Sequence, residues 1–219
     1  PTGNAHQGAG ILPLMSRPVL HNDPIPFITL PNWVKAAAHC GFNIEPVFKE
    51  LGITTDLRNV ETATIERPLL IAAMERCVTL ARHHHFPFVL GETFDFDYLP
   101  DLETFITTSP TLREASHVFV WVRELINPML EVTLEEEGDT ARLVLRFAGL
   151  DEAMLPKPWF SETMFASILK FGRMLLGEDM PFTVLRFRHP PPPHVAVYEP
   201  FFRVPIRFDQ SQYAVEYPR

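Results

Sequence analysis

The chain has 219 residues, of which 46% are hydrophobic and 18 are Phe, enough apolar material for one large domain or two small ones. Its formal net charge is −8, with 19 Lys and Arg against 27 Asp and Glu, and no basic block occurs. These figures argue against nucleic-acid binding by this chain alone, since such binding needs cationic side chains gathered against the phosphates.

The cysteines and the hydropathy pattern indicate the cytoplasm. Cys40 and Cys77 both fall on apolar faces of predicted helices, a pattern typical of free, buried thiols in a reducing compartment. The sequence shows no signal peptide, and no apolar run reaches the roughly 18 residues that a membrane span needs. We therefore expect a cytoplasmic protein that does not contact a membrane.

The first part of the chain predicts a helical half. Residues 1–28 show no sustained period and are expected to form a tail and a leading loop, whereas residues 29–127 follow helical periods. The first predicted helices span residues 33–39, 43–51 and 68–83, with Asn32 as the first N-cap, Gly41 and Gly52 as helix ends, and a loop over 86–97.

The helical half ends with a capped helix. A short helix near residues 101–107 precedes Ser109-Pro110. Thr111 and Glu114 then have the spacing of a capping box, in which two side chains satisfy the free backbone N–H groups of a helix start. The helix that they open is predicted to run to Asn127, because Pro128 ends it.

Residues 128–219 predict an α+β half. Alternation with period two on both sides of Gly138-Asp139 indicates a β-hairpin. Its expected cross-strand charges are Glu131 and Glu135 opposite Arg142 and Arg146. The later elements are a helix over 159–176, a strand over 183–188, four prolines at 190–193, a short helix over 194–202, and strands over 206–208 and 212–217. The order ββ-α-β-(α)-ββ predicts an α+β fold in which the helical half packs on a small mixed sheet.

Three ordered motifs carry a resemblance to a known family. They are Ser109–Ala115, the hairpin turn at Gly138-Asp139, and a C-terminal stretch with Phe187-Arg188-His189-Pro190, Tyr198, Phe201-Phe202 and Val204–Phe208. The region from about Asn32 to Tyr217 resembles the N-terminal effector domain of AraC/XylS-type transcription regulators, in the branch called the arabinose-binding type.

The resemblance implies a regulatory role. It implies a domain that senses a small-molecule effector and dimerises, and that controls DNA binding through two helix-turn-helix units. Those units would lie beyond Arg219, so the DNA-binding domain is expected to be absent from this chain and residues 29–219 to form the effector-sensing domain.

The sequence offers little for catalysis. No nucleophile elbow, zinc-protease, P-loop or dinucleotide motif occurs, so we expect no enzyme, no catalytic residue, no cofactor and no metal. His83-His84-His85 is expected to complement the dipole of a helix end. Two alternatives to the regulatory role stay open, a haem or gas sensor and a metal-dependent enzyme.

A surplus of aromatic and Met side chains suggests a binding site. The helices around 112–127 and 159–176 carry more apolar bulk than the strands are expected to cover, which fits either a pocket between the halves or a filled core. The candidate ligand-binding residues are Arg113, His117, Trp121, Arg123, Met164, Phe165 and Phe171. The three cationic or titratable ones are the best placed to meet an anionic head. An amphipathic or apolar acid is therefore favoured over a sugar, whose hydroxyls would need many polar partners.

Overall fold

The computed structural model describes residues 24–54, 56–148, 157–177 and 180–219. Their buried apolar side chains form two hydrophobic cores. The N-terminal core is built from residues between Ile25 and Leu90 together with Met129. The C-terminal core draws on residues between Phe88 and Tyr217. The two cores meet at the helix that contains Phe88 and Leu90.

The N-terminal core is enclosed by four helices and a two-stranded ribbon. The strands are β1 (Ile25–Pro26) and β2 (Thr64–Ile65), which pair antiparallel, and the helices are α1 (Leu30–His39), α2 (Glu45–Glu50), α3 (Arg67–Leu80) and α4 (Phe86–Glu92). Ile25 and Phe27, at the end of the predicted leading loop, are buried in this core. Residues 1–23 of the predicted tail lie outside the described residues.

The sequence prediction for this half is wrong at Asn32 and over residues 86–97. Asn32 is not an N-cap: α1 starts two residues earlier, at Leu30, and Asn32 is buried within it, where its Nδ2 donates to Asp95 Oδ1 at 3.1 Å. The loop predicted over 86–97 contains α4, in which Phe86 to Gly91 are all buried. A helix buried on all sides has no polar face, so it shows no helical period in the sequence.

The capped helix is divided in two. After α5 (Pro100–Thr108), the segment forms α6 (Leu112–Ala115) and α7 (Val118–Leu125), with turns between them. The predicted N-cap is confirmed, because the Glu114 N–H donates to Thr111 Oγ1 at 3.2 Å. The Glu114 carboxylate accepts from the Thr111 hydroxyl at 2.9 Å, where the capping box predicted a bond from the Thr111 backbone N–H. The prediction of a single helix that runs to Asn127 is therefore wrong.

The C-terminal half contains a five-stranded mixed sheet, as predicted. Its strands are β3 (Leu130–Glu137), β4 (Thr140–Phe147), β5 (Val184–Arg186), β6 (Ile206–Arg207) and β7 (Tyr213–Pro218), in the spatial order β3-β4-β7-β5-β6. β5 and β6 are parallel, and the other neighbours are antiparallel. The short predicted helix over 194–202 is a 3₁₀ turn followed by α9 (Tyr198–Phe202). The chain therefore has the predicted α+β fold.

A buried carboxylate holds β4, β5 and β7 together. Glu216 Oε1 on β7 accepts from Arg142 Nε at 2.6 Å and from Arg186 Nε at 2.8 Å, and its side chain is only 11% exposed. Arg142 lies opposite Glu135 in the predicted register, yet its closest ion pair is with Glu216. Burial raises the pKa of Glu216, but the hydrogen bonds from Arg186 and Arg142 outweigh burial and lower it.

The long helix α8 (Trp159–Leu176) crosses the structure as predicted. It packs closely against α4 at Gly91, where a Cβ atom would lie 2.2 Å from the Thr163 carbonyl oxygen and 2.5 Å from Ala166 Cβ. Only glycine fits such an approach of two backbones. No helix in the described part of the chain is long and apolar enough to cross a membrane.

We expect Gly91→Ala to lower the free energy of unfolding by about 1–3 kcal/mol, because the added methyl group must push α4 away from the α8 backbone. Denaturant unfolding followed by circular dichroism measures this. The control is Glu92→Ala, an exposed position on the same helix, which should change stability by less than about 0.5 kcal/mol. Equal effects of the two substitutions would contradict the close helix contact.

We expect Glu216→Gln to cost about 1.5–3 kcal/mol of unfolding free energy at pH 7, because both arginines lose a charged acceptor. The folded-state pKa of Glu216 is depressed, so its stabilisation is present above the unfolded value of about 4.3 and is lost as pH falls through the folded value. The stability gap between the parent chain and the variant should therefore close below about pH 4. A gap that stays constant from pH 7 to pH 3 would refute the charge-dependent role.

Candidate functional site

An apolar cavity of about 190 Å³ lies between the two cores. The helical half contributes side chains from α1, α3 and α4, namely Trp33, Leu70, Met74 and Leu90. The C-terminal half contributes Leu143, Phe147, Phe182 and a run along α8 that includes Phe160, Thr163, Met164, Ser167, Phe171 and Leu175. A molecule held here would contact both cores at once.

Five polar residues line the wall, namely Thr29, Ser116, Asn127, Thr163 and Ser167, and four of them form side-chain hydrogen bonds within the protein. The hydroxyls of Ser116, Thr163 and Ser167 donate to backbone carbonyl oxygens at 2.6, 2.9 and 3.1 Å, and Asn127 Oδ1 accepts the Met129 N–H at 3.1 Å. These bonds use the three hydroxyl protons, while the hydroxyl oxygens can still accept hydrogen bonds. Because the other residues of the wall are apolar, the wall suits a mostly apolar occupant.

Two of the seven residues predicted from the sequence line this cavity. Met164 and Phe171 both lie on its α8 wall. Phe165, between them in sequence, is fully buried in the C-terminal core, with its ring centroid 4.8 Å from that of Phe187. It therefore contributes to packing against the sheet and not to the cavity wall.

The four predicted residues on α6, α7 and the turn between them do not line the cavity. Arg113 forms an ion pair with Glu136, and Arg123 Nη2 lies 3.2 Å from Glu131 Oε1, both partners being on β3. Trp121 is 39% exposed and packs edge-on against Phe105, and His117 is exposed. The inner wall is made instead by their neighbours Leu112, Ala115, Ser116, Val118 and Val122.

The sequence prediction missed the contribution of the helical half. Leu70 and Met74 on α3, Leu90 on α4, and Phe94 and Phe96 after α4 all line the cavity. The apolar run from Phe86 to Leu90 could have indicated this contribution, because five consecutive apolar residues are unusual in an exposed loop.

A cluster of polar side chains surrounds Glu162 on α8. Glu162 is fully buried; its carboxylate oxygens lie 2.7 Å from His85 Nε2 and 2.6 Å from His194 Nε2, and the Tyr198 hydroxyl donates to it. Burial raises the pKa of Glu162, but the hydrogen bonds from His194 and His85 prevail and lower it to about 2. The histidine prediction is thus wrong for His85, since α3 ends at Leu80 and His85 directly precedes α4.

Four other titratable side chains are hydrogen-bonded or buried within the two cores or beside them. Asp95, which follows α4, accepts from Lys35 Nζ on α1 at 2.6 Å. His189 is buried after β5 and its Nδ1 lies 2.8 Å from the Pro190 carbonyl oxygen. Cys40 and Cys77 are free and buried, as predicted, and burial raises their pKa values to about 11 and about 12. Thiols with such values stay protonated and unreactive near neutral pH.

Comparison with known families identifies the architecture around the cavity. Residues 41–219 match the arabinose-binding domain found at the N-terminus of AraC transcription regulators. The chain belongs to this family. The resemblance expected from the sequence is thereby confirmed.

A solved structure shares the fold of this AraC-family domain. It is the crystal structure of the transcriptional regulator CdpR from Pseudomonas aeruginosa, with a TM-score of 0.55 and 18% sequence identity. The match covers 81% of this chain and 55% of CdpR, so the chain spans about half the length of that protein. A comparison with curated proteins finds no match.

Proposed function

We propose that this AraC-family domain senses a small amphipathic molecule whose apolar body fills the cavity between the two cores. The observation that carries the proposal is the apolar wall shared by both halves of the domain. Such a ligand would bridge α3 and α4 on one side and α8 on the other. Its binding would therefore favour one relative arrangement of the two cores. A regulatory domain needs such a shift in conformation to signal that the ligand is bound.

The volume limits the size of the buried part. Apolar cavities of about 150 Å³ in other proteins hold a benzene ring. The 190 Å³ available here is somewhat larger, so it suits a substituted aromatic ring or a short acyl segment. A pentose fits poorly on chemical grounds, because each hydroxyl left without a partner costs about 1–3 kcal/mol and only five residues of the wall are polar.

We place an acidic head of the ligand at the break between α6 and α7. Ser116 lines the cavity there, whereas the next residue, His117, is exposed. Arg113 and Arg123 flank this region and would have to exchange a carboxylate on β3 for the ligand. Lys170 offers a second positive charge beside the cavity. Its Nζ lies 5.1 Å from the Phe171 ring centroid and donates to the Phe94 carbonyl oxygen, and Phe171 and Phe94 both line the wall.

We expect short fatty acids and aromatic acids to bind and to raise the thermal stability of the 219-residue chain, by about 2.7 kcal/mol at a hundredfold excess over Kd. Ala115→Leu should weaken binding at least tenfold, because the added side chain occupies the cavity. Ala38→Leu, at an exposed position on α1, is the matched control and should bind normally. Thermal shift and calorimetry measure both effects.

Substitution of His117 and of Lys170 decides where the acidic head of the ligand lies. His117→Ala should weaken binding of an acid but not of the matching alcohol, and Lys170→Ala should do so only if the head lies beside Phe94. Stabilisation by millimolar arabinose, with no response to fatty or aromatic acids, would overturn the proposal.

We further propose that the domain forms a symmetric dimer through α7. This helix exposes Val120, Trp121 and Leu125 by 59%, 39% and 45%, an apolar surface that a second copy would cover. Two-fold symmetry suits regulators that read paired half-sites on DNA. DNA contact itself is proposed to occur through a helix-turn-helix domain outside this chain, and the net charge of −8 supports that division.

We expect the domain to sediment as a dimer at high micromolar concentration and Val120→Glu to shift it to monomer, because an unpaired charge would be buried in the interface. Met174→Glu, at a comparably exposed apolar position on α8, should leave the dimer intact. A parent chain that sediments only as monomer would rule out self-association through this domain.

A further inference from the structure

Three ligand-type side chains from distant parts of the sequence converge beside α8. Glu162 is 77 residues from His85 and 32 residues from His194, yet their nitrogen and oxygen atoms all lie within 4.8 Å of one another. The two imidazole rings are 4.0 Å apart at their centroids. Two imidazoles and one carboxylate on three different segments form a set of donors that proteins use for transition metals.

The surrounding structure holds these side chains in place. His85 directly precedes α4, Glu162 is on the first turn of α8, and His194 follows the rigid segment Pro190–Pro193. Phe88 on α4 packs edge-on against both histidine rings, at centroid distances of 4.8 and 6.4 Å. A preformed arrangement of this kind needs little reorganisation to bind an ion.

The charge balance of the cluster favours a cation. Glu162 has no exposed side-chain surface, and the Tyr198 hydroxyl also donates to its carboxylate. A carboxylate in a low-dielectric interior is costly unless hydrogen bonds or a positive charge compensate it. A divalent ion would supply that charge directly.

The distances require only a small adjustment. Zn²⁺ binds imidazole nitrogen and carboxylate oxygen at about 2.0–2.2 Å, which places neighbouring tetrahedral ligands about 3.3 Å apart. His85 Nε2 lies 2.7 Å from Glu162 Oε2 and His194 Nε2 lies 2.6 Å from Oε1, so each of these pairs would separate by roughly 0.6 Å. The other pairs of ligand atoms, which lie within 4.8 Å of one another, would have to close to the same spacing. His194 and His85, with side chains 29% and 14% exposed, give an ion a route from solvent.

We propose that His85, Glu162 and His194 bind one divalent transition-metal ion of the Zn²⁺ class, with water in the fourth position and Tyr198 bonded to the coordinating carboxylate. The mixed nitrogen and oxygen donors favour Zn²⁺, Co²⁺ or Ni²⁺ over Ca²⁺ and Mg²⁺, which prefer all-oxygen sites. The next residue along α8, Thr163, lines the cavity. The ion would thus fix α8 to the segments before α4 and after the prolines, at a point next to the ligand cavity.

The test is Zn²⁺ titration of the untagged, chelator-treated 219-residue chain by calorimetry, with Co²⁺ absorption as a spectroscopic probe of coordination. We expect one equivalent of Zn²⁺, an absorption spectrum typical of tetrahedral Co²⁺, and weaker binding at lower pH because protons compete for the imidazole nitrogens. His194→Gln and Glu162→Gln should each weaken Zn²⁺ binding at least tenfold. His84→Gln removes an exposed histidine next to the site and should bind as the parent does.

The outcomes separate a metal site from a purely hydrogen-bonded cluster. Failure of the parent chain to take up a stoichiometric equivalent overturns the proposal, and so does uptake that His194→Gln leaves unchanged. Circular dichroism establishes that each variant is folded; if Glu162→Gln unfolds, His194→Gln decides alone, because His194 is partly exposed and its loss disturbs packing least.

Discussion

The close approach of α4 to α8 at Gly91 is the contact on which the rest of the structure depends. A side chain at this position would overlap the Thr163 carbonyl oxygen, so the two helices can approach only through glycine. α4 contributes Phe88 to one core and Leu90 to the other, and α8 crosses between them. The α4–α8 contact therefore joins the two cores into one domain and fixes the geometry of what lies between them.

Between the two cores lies a cavity of a size that side chains normally fill in a protein interior. Protein cores contain few voids larger than a water molecule. An apolar space of about 190 Å³ leaves the side chains of its wall without the close packing of a protein interior. An apolar occupant would bury that wall, which links the stability of the two-core arrangement to binding.

Two buried carboxylates show how differently this domain compensates charge. Glu216 is held by the permanently charged Arg142 and Arg186, which connect three strands of the sheet. Glu162 is held by two histidines and a tyrosine, groups that carry no permanent positive charge. The first arrangement is complete as an ion-pair network. The second is the one that gains from a bound cation, and it lies on the helix that also lines the cavity.

The sequence by itself determined the local elements and the family. The hairpin, the capped turn at Thr111, the long helix α8 and the mixed α+β order follow from periodicity and from turn and capping residues, which act over a few positions. Only the tertiary structure decided which side chains reach the cavity: the break between α6 and α7 lies within the segment predicted as one helix, and α4 is buried on all sides. The meeting of His85, Glu162 and His194 was likewise beyond the sequence, because local patterns carry no information on contacts that the packing of α4, α8 and the proline segment creates across 77 and 32 residues.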